Sequence, residues 1–457
     1  MASTIDEHAQ SDISADVFAE GKAIRLAVSR STHSGWDAAV DRADPIALLE
    51  ESSVGRLPSL IPIRYGRMSA SPFTFFRGAA IIMASDLGTS TPNTGIFAQV
   101  CGDCHLENFG VFATPERNII FDINDFDETL PAPWEWDVKR LTASIHIAGR
   151  VIGLAEKQCM KAVLTAVRGY REQIRLCAGM TALEVWYSRV DAHVVAQQIS
   201  DAALRRAAVK NGKTAPAYTH EMVADEYTEG VGKDRFIADK PPNLFHPPAD
   251  NEVIVDAQQV MKRYRETLRE DIAHLVGRYH LADLAVKVVG MGSIGTRCAV
   301  ALLMAKNDDA LLLQIKEARP SVLEDYAGKS RYADHGQRVV AGQRLMQAAS
   351  DMFLGWTFSA DGHQFYVRQL SDMKGSVQIT AMSADDLTVY AKLCATVLAI
   401  AHARSADAAK IGGYVGTSET FDDAIAAFAA AYADQNDRDY HKFLKAIKTG
   451  RLEAKEG

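Results

Sequence analysis

The chain has no uninterrupted apolar run of the ~18 residues that a membrane-spanning helix requires. Its longest candidate, Leu393–Ala401, is short and is bounded by Lys392 and His402, so a buried helix face is the expected use of that stretch. Positive charge is also scarce. The 50 Lys and Arg residues against 58 Asp and Glu leave a net charge of -8, which argues against the basic surface that grips nucleic acid. There are six cysteines, and four of them (Cys159, Cys177, Cys298 and Cys394) stand alone in apolar segments. Buried thiols are the default there, and no disulfide framework is implied. The start, Met1-Ala-Ser-Thr-Ile-Asp-Glu-His, is polar and acidic. It has neither the basic beginning nor the apolar centre of an export signal, so a cytoplasmic protein with no membrane or nucleic-acid partner is expected. There is no internal repeat. What is present is a globular composition, 457 residues at 47% hydrophobic, enough for two or three domains of roughly 100–200 residues each.

Two neighbouring segments carry the chemistry: Cys101-Gly-Asp-Cys-His-Leu-Glu-Asn108 and Phe121-Asp-Ile-Asn-Asp-Phe-Asp127. Asp103 and Asn108 are five positions apart, the interval at which a kinase catalytic loop places its proton-accepting Asp and a magnesium-holding Asn. A turn-like segment, Thr114–Asn118, and a short apolar strand, Ile119–Phe121, then lead to Asp122, with Asp125 close behind. The expected roles are Asp103 as catalytic base and Asn108, Asp122 and Asp125 as magnesium ligands. Cys101 to His105 also satisfies C-x-x-C-H, a haem-attachment signature, but that chemistry needs export. A zinc site would need two further ligands.

Farther along, Gly290-Met-Gly-Ser-Ile-Gly295 is followed by strand-like Cys298–Met304, a turn at Lys306–Asp309, and Ala310–Lys316. A dinucleotide fold opens a helix at the third glycine, whereas a kinase continues into strands and places a phosphate-gripping lysine on the third. The second pattern fits. Gly290, Gly292, Ser293 and Gly295 are then expected to cover nucleotide phosphates, and Lys316 to pair with them. The partner of Lys316 is sought at Glu324 or at a polar residue of the 337–351 helix such as Gln343, because Glu317 should face the other side of its strand.

The remaining pattern is mixed. Residues 1–70 read as a helical extension broken by Pro58 and Pro62. An apolar helix is expected from Pro72 to Leu87, a strand over 95–100, and a helix from Pro133 to about Gly149 with Asp137 near its start. The stretch 151–235 reads as mostly helical and Pro241–Pro248 as a loop, with a helix from Val253 to Arg278 and another from Gln337 to Asp351. A hairpin turns about Asp361-Gly362, and helices return from Asp385. The fold class is α+β, divided as 1–70, a helical part with catalytic and metal loops over 71–280, a β-rich nucleotide-binding part over 281–380, and closing helices over 381–457.

The blocks around Asp103, Asp122–Thr129, Trp134–Leu141, Gln314–Leu323 and Gly342–Asp351 resemble the uncharacterised bacterial family known as domain of unknown function 2252, over about Arg64 to Gln435. Its catalytic-loop block is in turn similar to aminoglycoside-phosphotransferase-like kinases, whose H-G-D-x-H-x-x-N matches Asp103, His105 and Asn108. Position 101 departs, holding Cys where those kinases have the His that supports the loop. The resemblance implies a two-lobed kinase-like fold that uses ATP and Mg2+ to phosphorylate an unknown small-molecule or protein hydroxyl. A nucleotide-binding pseudokinase or a nucleotidyl transferase would share the same cleft. Because the glycine turn comes after the catalytic loop, a circular permutation is implied, with the helix ending Leu398–Arg404 leading in space to residue 101.

Overall fold

The computed structural model describes residues 16–192, 220–246, 257–288, 290–370 and 379–455. It is a mixed α+β chain with antiparallel sheets. After a helical stretch over 16–23 come four short helices: α1 (Pro45–Ser53), α2 (Ile61–Met68), α3 (Pro72–Gly78) and α4 (Ala80–Ser90). Proline sits in the first turn of α1, α2 and α3, where its missing N–H leaves nothing unpaired. Asp44 and Ser71 cap α1 and α3 with their side chains, each cap contributing about 1 kcal/mol. The single helix expected from Pro72 is therefore two. The break at Ala79 leaves the Gly78 carbonyl to the buried Arg64 guanidinium at 2.7 Å.

The segment that carries Asp103 lies among strands. In order come β1 (Phe97–Val100), β2 (Phe109–Ala113), β3 (Ile119–Ile123), β4 (Leu130–Pro133), helices α5 (Glu135–Val151) and α6 (Glu156–Ala178), and β5 (Val190–Asp191). β1 pairs with β4, and β2 and β3 form a hairpin whose free edge takes β5, all antiparallel. Next are α7 (His220–Tyr227), the short pair β6 (Thr228–Glu229) and β7 (Phe236–Ile237), β8 (Leu244–Phe245), α8 (Ala257–Glu266) and α9 (Glu270–Val276). The helix expected from Val253 to Arg278 breaks at Thr267, whose hydroxyl donates to the Tyr264 carbonyl at 2.8 Å; residues 253–256 lie outside the described residues. Within the expected loop 241–248, Leu244 and Phe245 pair with β9 (His280–Lys287).

β9 begins a six-stranded sheet with β10 (Cys298–Met304), β11 (Ala310–Glu317), β12 (Gly355–Phe358) and β13 (Gln364–Gln369), in the order β12-β13-β11-β10-β9-β8. Helix α10 (His335–Met346) lies between β11 and β12 in sequence and packs on β12 and β13. It stops five residues short of the expected end, because the Met346 carbonyl and the Ala348 amide are taken by Arg404 and Asp122. The chain closes with α11 (Ala384–Ala403) and α12 (Thr420–Lys448).

Helix α11 contains the apolar stretch noted in the sequence, and Leu393, Cys394, Val397, Leu398 and Ile400 are all buried against α6 and the β1–β4 region. Its end lies beside β1: the Gln99 amide donates to Ser405 Oγ at 2.9 Å. Separate apolar clusters fill the two faces of the large sheet. One includes Leu284, Leu313 and Val367 with α8 and α9, and the other includes Val300, Leu302 and Leu312 with α7. The early helices pack on the far half of α12, where Arg42 is held by Asp86 at 2.7 Å and Asp439 at 2.6 Å.

Candidate functional site

The loop after β1 is built around a backbone position that suits glycine. Gly102 has φ +83°, and a Cβ there would lie 2.4 Å from the Glu128 carbonyl oxygen. The Asp137 carboxylate, near the start of α5, accepts the amides of Cys101 and Gly102 at 2.8 and 3.0 Å. His402, at the end of α11, sits 3.4 Å from that carboxylate and pairs with the Tyr170 hydroxyl at 2.8 Å. Tyr390 donates to the carbonyls of Leu106 and Phe109. The loop is thus held by Asp137 and by α11. Cys101 and Cys104 are buried, and with Asp137 their ligand atoms lie within 4.8 Å of one another. Both Asp137 oxygens already accept the loop amides.

This loop aims Asp103 and Asn108 into a cleft of about 420 Å³. Arg140 on α5 donates to Asp103 Oδ1 through Nε at 2.6 Å and approaches through Nη2 at 2.5 Å. Asp103 Oδ2 lies 3.8 Å from where a Cβ on Gly292 would be. Burial raises the Asp103 carboxyl pKa against the pull of Arg140, the direction that suits a proton acceptor. The Asn108 amide nitrogen donates to the Asp103 carbonyl at 2.6 Å, leaving its oxygen as the acceptor in the cleft. His105, buried beside Asp103, has its pKa pushed well down by burial and by Arg77 and Arg140, and so is neutral.

Across the cleft, Lys316 comes from the end of β11. Its ammonium lies 2.5 Å from Asp127 and 3.9 Å from Asp125. Asp127 also accepts Ser293 Oγ at 2.9 Å and Tyr366 Oη at 2.8 Å. The Lys316 pKa is raised despite burial, by Asp125 and Asp127; that of Asp127 is lowered despite burial, by Lys316 and the two hydroxyls. Gly290, Gly292 and Ser293 line the same cleft. Gly295, at φ +91°, is packed against the Arg56 side chain, and its carbonyl accepts the Leu57 amide at 2.7 Å.

The structure therefore brings Asp103, Asn108, Asp125, Lys316, Gly290, Gly292 and Ser293 together. It does not bring Asp122. That residue lies within β3, and its carboxylate accepts the amides of Ile123 and Ala348 at 2.8 and 2.9 Å, facing the end of α10 instead of the cleft. Nor do Glu324 and Gln343 meet Lys316: Glu324 faces His335 and Lys329, and Gln343 donates to Gln347. The partner is Asp127, two residues beyond Asp125. Glu317 faces away as expected, accepting the Arg297 amide at 2.8 Å.

Sequence reasoning also missed the early helices. Ser52, Arg56, Arg64 and Arg77 line the cleft, although the first three belong to the stretch set apart as an extension. No motif marks them; the only available signal was the arginine density between residues 56 and 77.

The family model described as "Uncharacterized protein conserved in bacteria (DUF2252)" matches residues 56–446. The chain belongs to that family. No curated protein and no solved structure matches it.

Proposed function

We propose that the cleft binds ATP with Mg2+ and transfers the terminal phosphoryl group to a hydroxyl. One observation carries this reading: the Asp103 loop from the early chain and the glycine turn with Lys316, some two hundred residues later, face each other across a single cavity. The connection from β9 through the glycine turn to β10 and on to Lys316 on β11, with α10 following, supports a kinase-like small lobe. The closeness of Ser405, just past α11, to Gln99 supports circular permutation, since it puts the end of that helix beside the strand leading to Asp103. On this reading residues 281–380 form the nucleotide-binding lobe, and 71–280 with 381–457 form the helical one.

Each group then has a task. Lys316 and the amides of the glycine turn hold phosphates, and apolar Val288 and Leu370, which line the cleft, suit a base. The oxygens of Asn108 and Asp125 are hard donors of the kind magnesium prefers, and Asp127 keeps Lys316 charged and aimed. Bound magnesium supplies charge neutralisation at the phosphates. The acceptor oxygen forms the new P–O bond as the bond to the β-phosphate oxygen breaks; ADP leaves with the electron pair, and the acceptor proton passes to Asp103.

The Arg140 pair on Asp103 favours a second reading, a nucleotide-binding pseudokinase, because Arg140 occupies Oδ1 and pulls against the burial that raises the carboxyl pKa. Two measurements separate the readings. Mg·ATP at about 100 times its dissociation constant should add roughly 2.7 kcal/mol of stability, and ATP turnover should fall in Asp103→Asn. A stability gain with equal turnover in both proteins makes it a pseudokinase; no gain with ATP removes the nucleotide altogether.

A further inference from the structure

The wall of the cleft formed by the early helices carries more positive charge than the structure compensates. Arg56 Nε donates to the Ser52 carbonyl at 2.9 Å and Nη1 to the Ile294 carbonyl at 2.7 Å. Arg319 Nη1 shares the Ser52 carbonyl at 3.3 Å and Nη2 reaches the Val54 carbonyl. Arg64, 1% exposed, donates to two serine hydroxyls and the Gly78 carbonyl. Three guanidiniums thus converge on Ser52 and its neighbours, and among the described residues none forms an ion pair with a carboxylate. Buried cations ordinarily have such a partner. Glu128, the acid acting most strongly on Arg56, accepts the Val322 amide at 2.7 Å. Burial, Arg64 and Arg319 together push the Arg56 pKa well below its usual value, more than Glu128 and Asp127 restore. Arg77 does have an acidic partner, Glu107, which its Nη1 approaches to 2.6 Å, but the Nε atoms of Arg64 and Arg77 are buried without a hydrogen-bond partner.

This wall adjoins Asp103. The carbonyl of Phe76 at the end of α3 accepts Arg140, which holds Asp103, and the Arg77 carbonyl lies 3.8 Å from the Cβ position of Gly292, the same distance as Asp103 Oδ2. Lys316 stands across the cleft with its own acids. Phosphates of a nucleotide held by Lys316 therefore leave the charges of Arg56, Arg64 and Arg319, which meet only neutral carbonyls and hydroxyls, to a different anion.

We infer that Arg56, Arg64, Arg77 and Arg319 receive a phosphate group carried by the acceptor, so that the molecule phosphorylated is a small hydroxy compound already bearing one phosphate. A phosphate monoester carries roughly -1.5 to -2 charge, which suits several guanidiniums better than a single carboxylate does. The assignment of an acceptor rests on the phosphotransferase reading; the anion site itself does not.

The test is calorimetric titration of the full chain with inorganic phosphate, alone and after saturation with Mg2+ and a non-hydrolysable ATP analogue. Phosphate should bind at one site in both states. Arg56→Met and Arg77→Met should each weaken it roughly tenfold, the loss of one charge-assisted hydrogen bond; analogue affinity should stay within about twofold of wild type in Arg77→Met, whereas Arg56→Met also loosens the glycine turn at the Ile294 carbonyl and is read on phosphate alone. Arg319→Met, at a more exposed position, serves where the others do not fold. Phosphate that binds only without the analogue belongs to the nucleotide site and overturns the inference. So does absence of phosphate binding in every state. Phosphate binding with no analogue binding would instead sink the phosphotransferase reading while the anion site stands.

Discussion

Replacing Lys316 by Met should destabilise the chain through Asp127, and the size of that effect can be worked out from the pair. At 2.5 Å and an effective dielectric near 20, the charges attract by about 6–7 kcal/mol before desolvation. Burial offsets most of that, but deleting one partner strands the other, at roughly 3–5 kcal/mol. Asp127 keeps donors in Ser293 and Tyr366, and its side chain is 26% exposed, so a cost at or just below the bottom of that range, about 2–3 kcal/mol, is expected. The sign with pH follows from the shifts. Asp127 is lowered, so its contribution is present above the unfolded carboxylate pKa of about 3.9 and is lost as pH falls through the folded value. Lys316 is raised, so its contribution is present below about 10.4 and is lost as pH rises through the folded value. Urea unfolding of wild type, Lys316→Met, Asp127→Asn and the double variant should give a constant deficit between about pH 5 and 9 that shrinks below about pH 4. A coupling energy under about 0.5 kcal/mol, or an undiminished deficit at about pH 3, would refute the pairing.

Other consequences can be checked directly. Asp122→Asn should lower stability by about 1–3 kcal/mol, since it weakens acceptance from two amides, and leave magnesium-dependent ATP affinity unchanged. Asp125→Asn should do the reverse, weakening that affinity at least about tenfold in titration calorimetry. Gly102→Ala should lower the melting temperature, because φ +83° and the Glu128 carbonyl 2.4 Å away both oppose a side chain; the cost is at least about 1 kcal/mol. Asp103→Asn should reduce ATP turnover by about 10²–10⁴-fold and bind Mg·ATP as the wild type does.

The parts legible in the sequence are those that local rules determine. The interval from Asp103 to Asn108 is set by one loop, and Cys298–Met304 and Ala310–Leu313 are continuous apolar runs because β10 and β11 are buried throughout. The misassigned Asp122 shows the limit. Its position after an apolar triplet resembled a loop entry, but β3 continues to Ile123, so the carboxylate faces α10, whose end is more than two hundred residues away in sequence. Asp127 was visible as part of an acidic run, yet its choice as the partner of Lys316 depends on β11 crossing that loop, which no local pattern reveals. The arginine wall was hidden for the same reason. Arg56 and Arg319 are remote in sequence and meet only over the Ser52 carbonyl.

The most direct measurement is a crystal structure with a non-hydrolysable ATP analogue and Mn2+, the metal located by its anomalous signal. The expected result places the ion roughly 2.1 Å from oxygens of Asn108 and Asp125, with the analogue's phosphates between Lys316 and the glycine turn. An ion at Asp122, or an analogue bound away from Lys316, would contradict the proposed phosphotransferase.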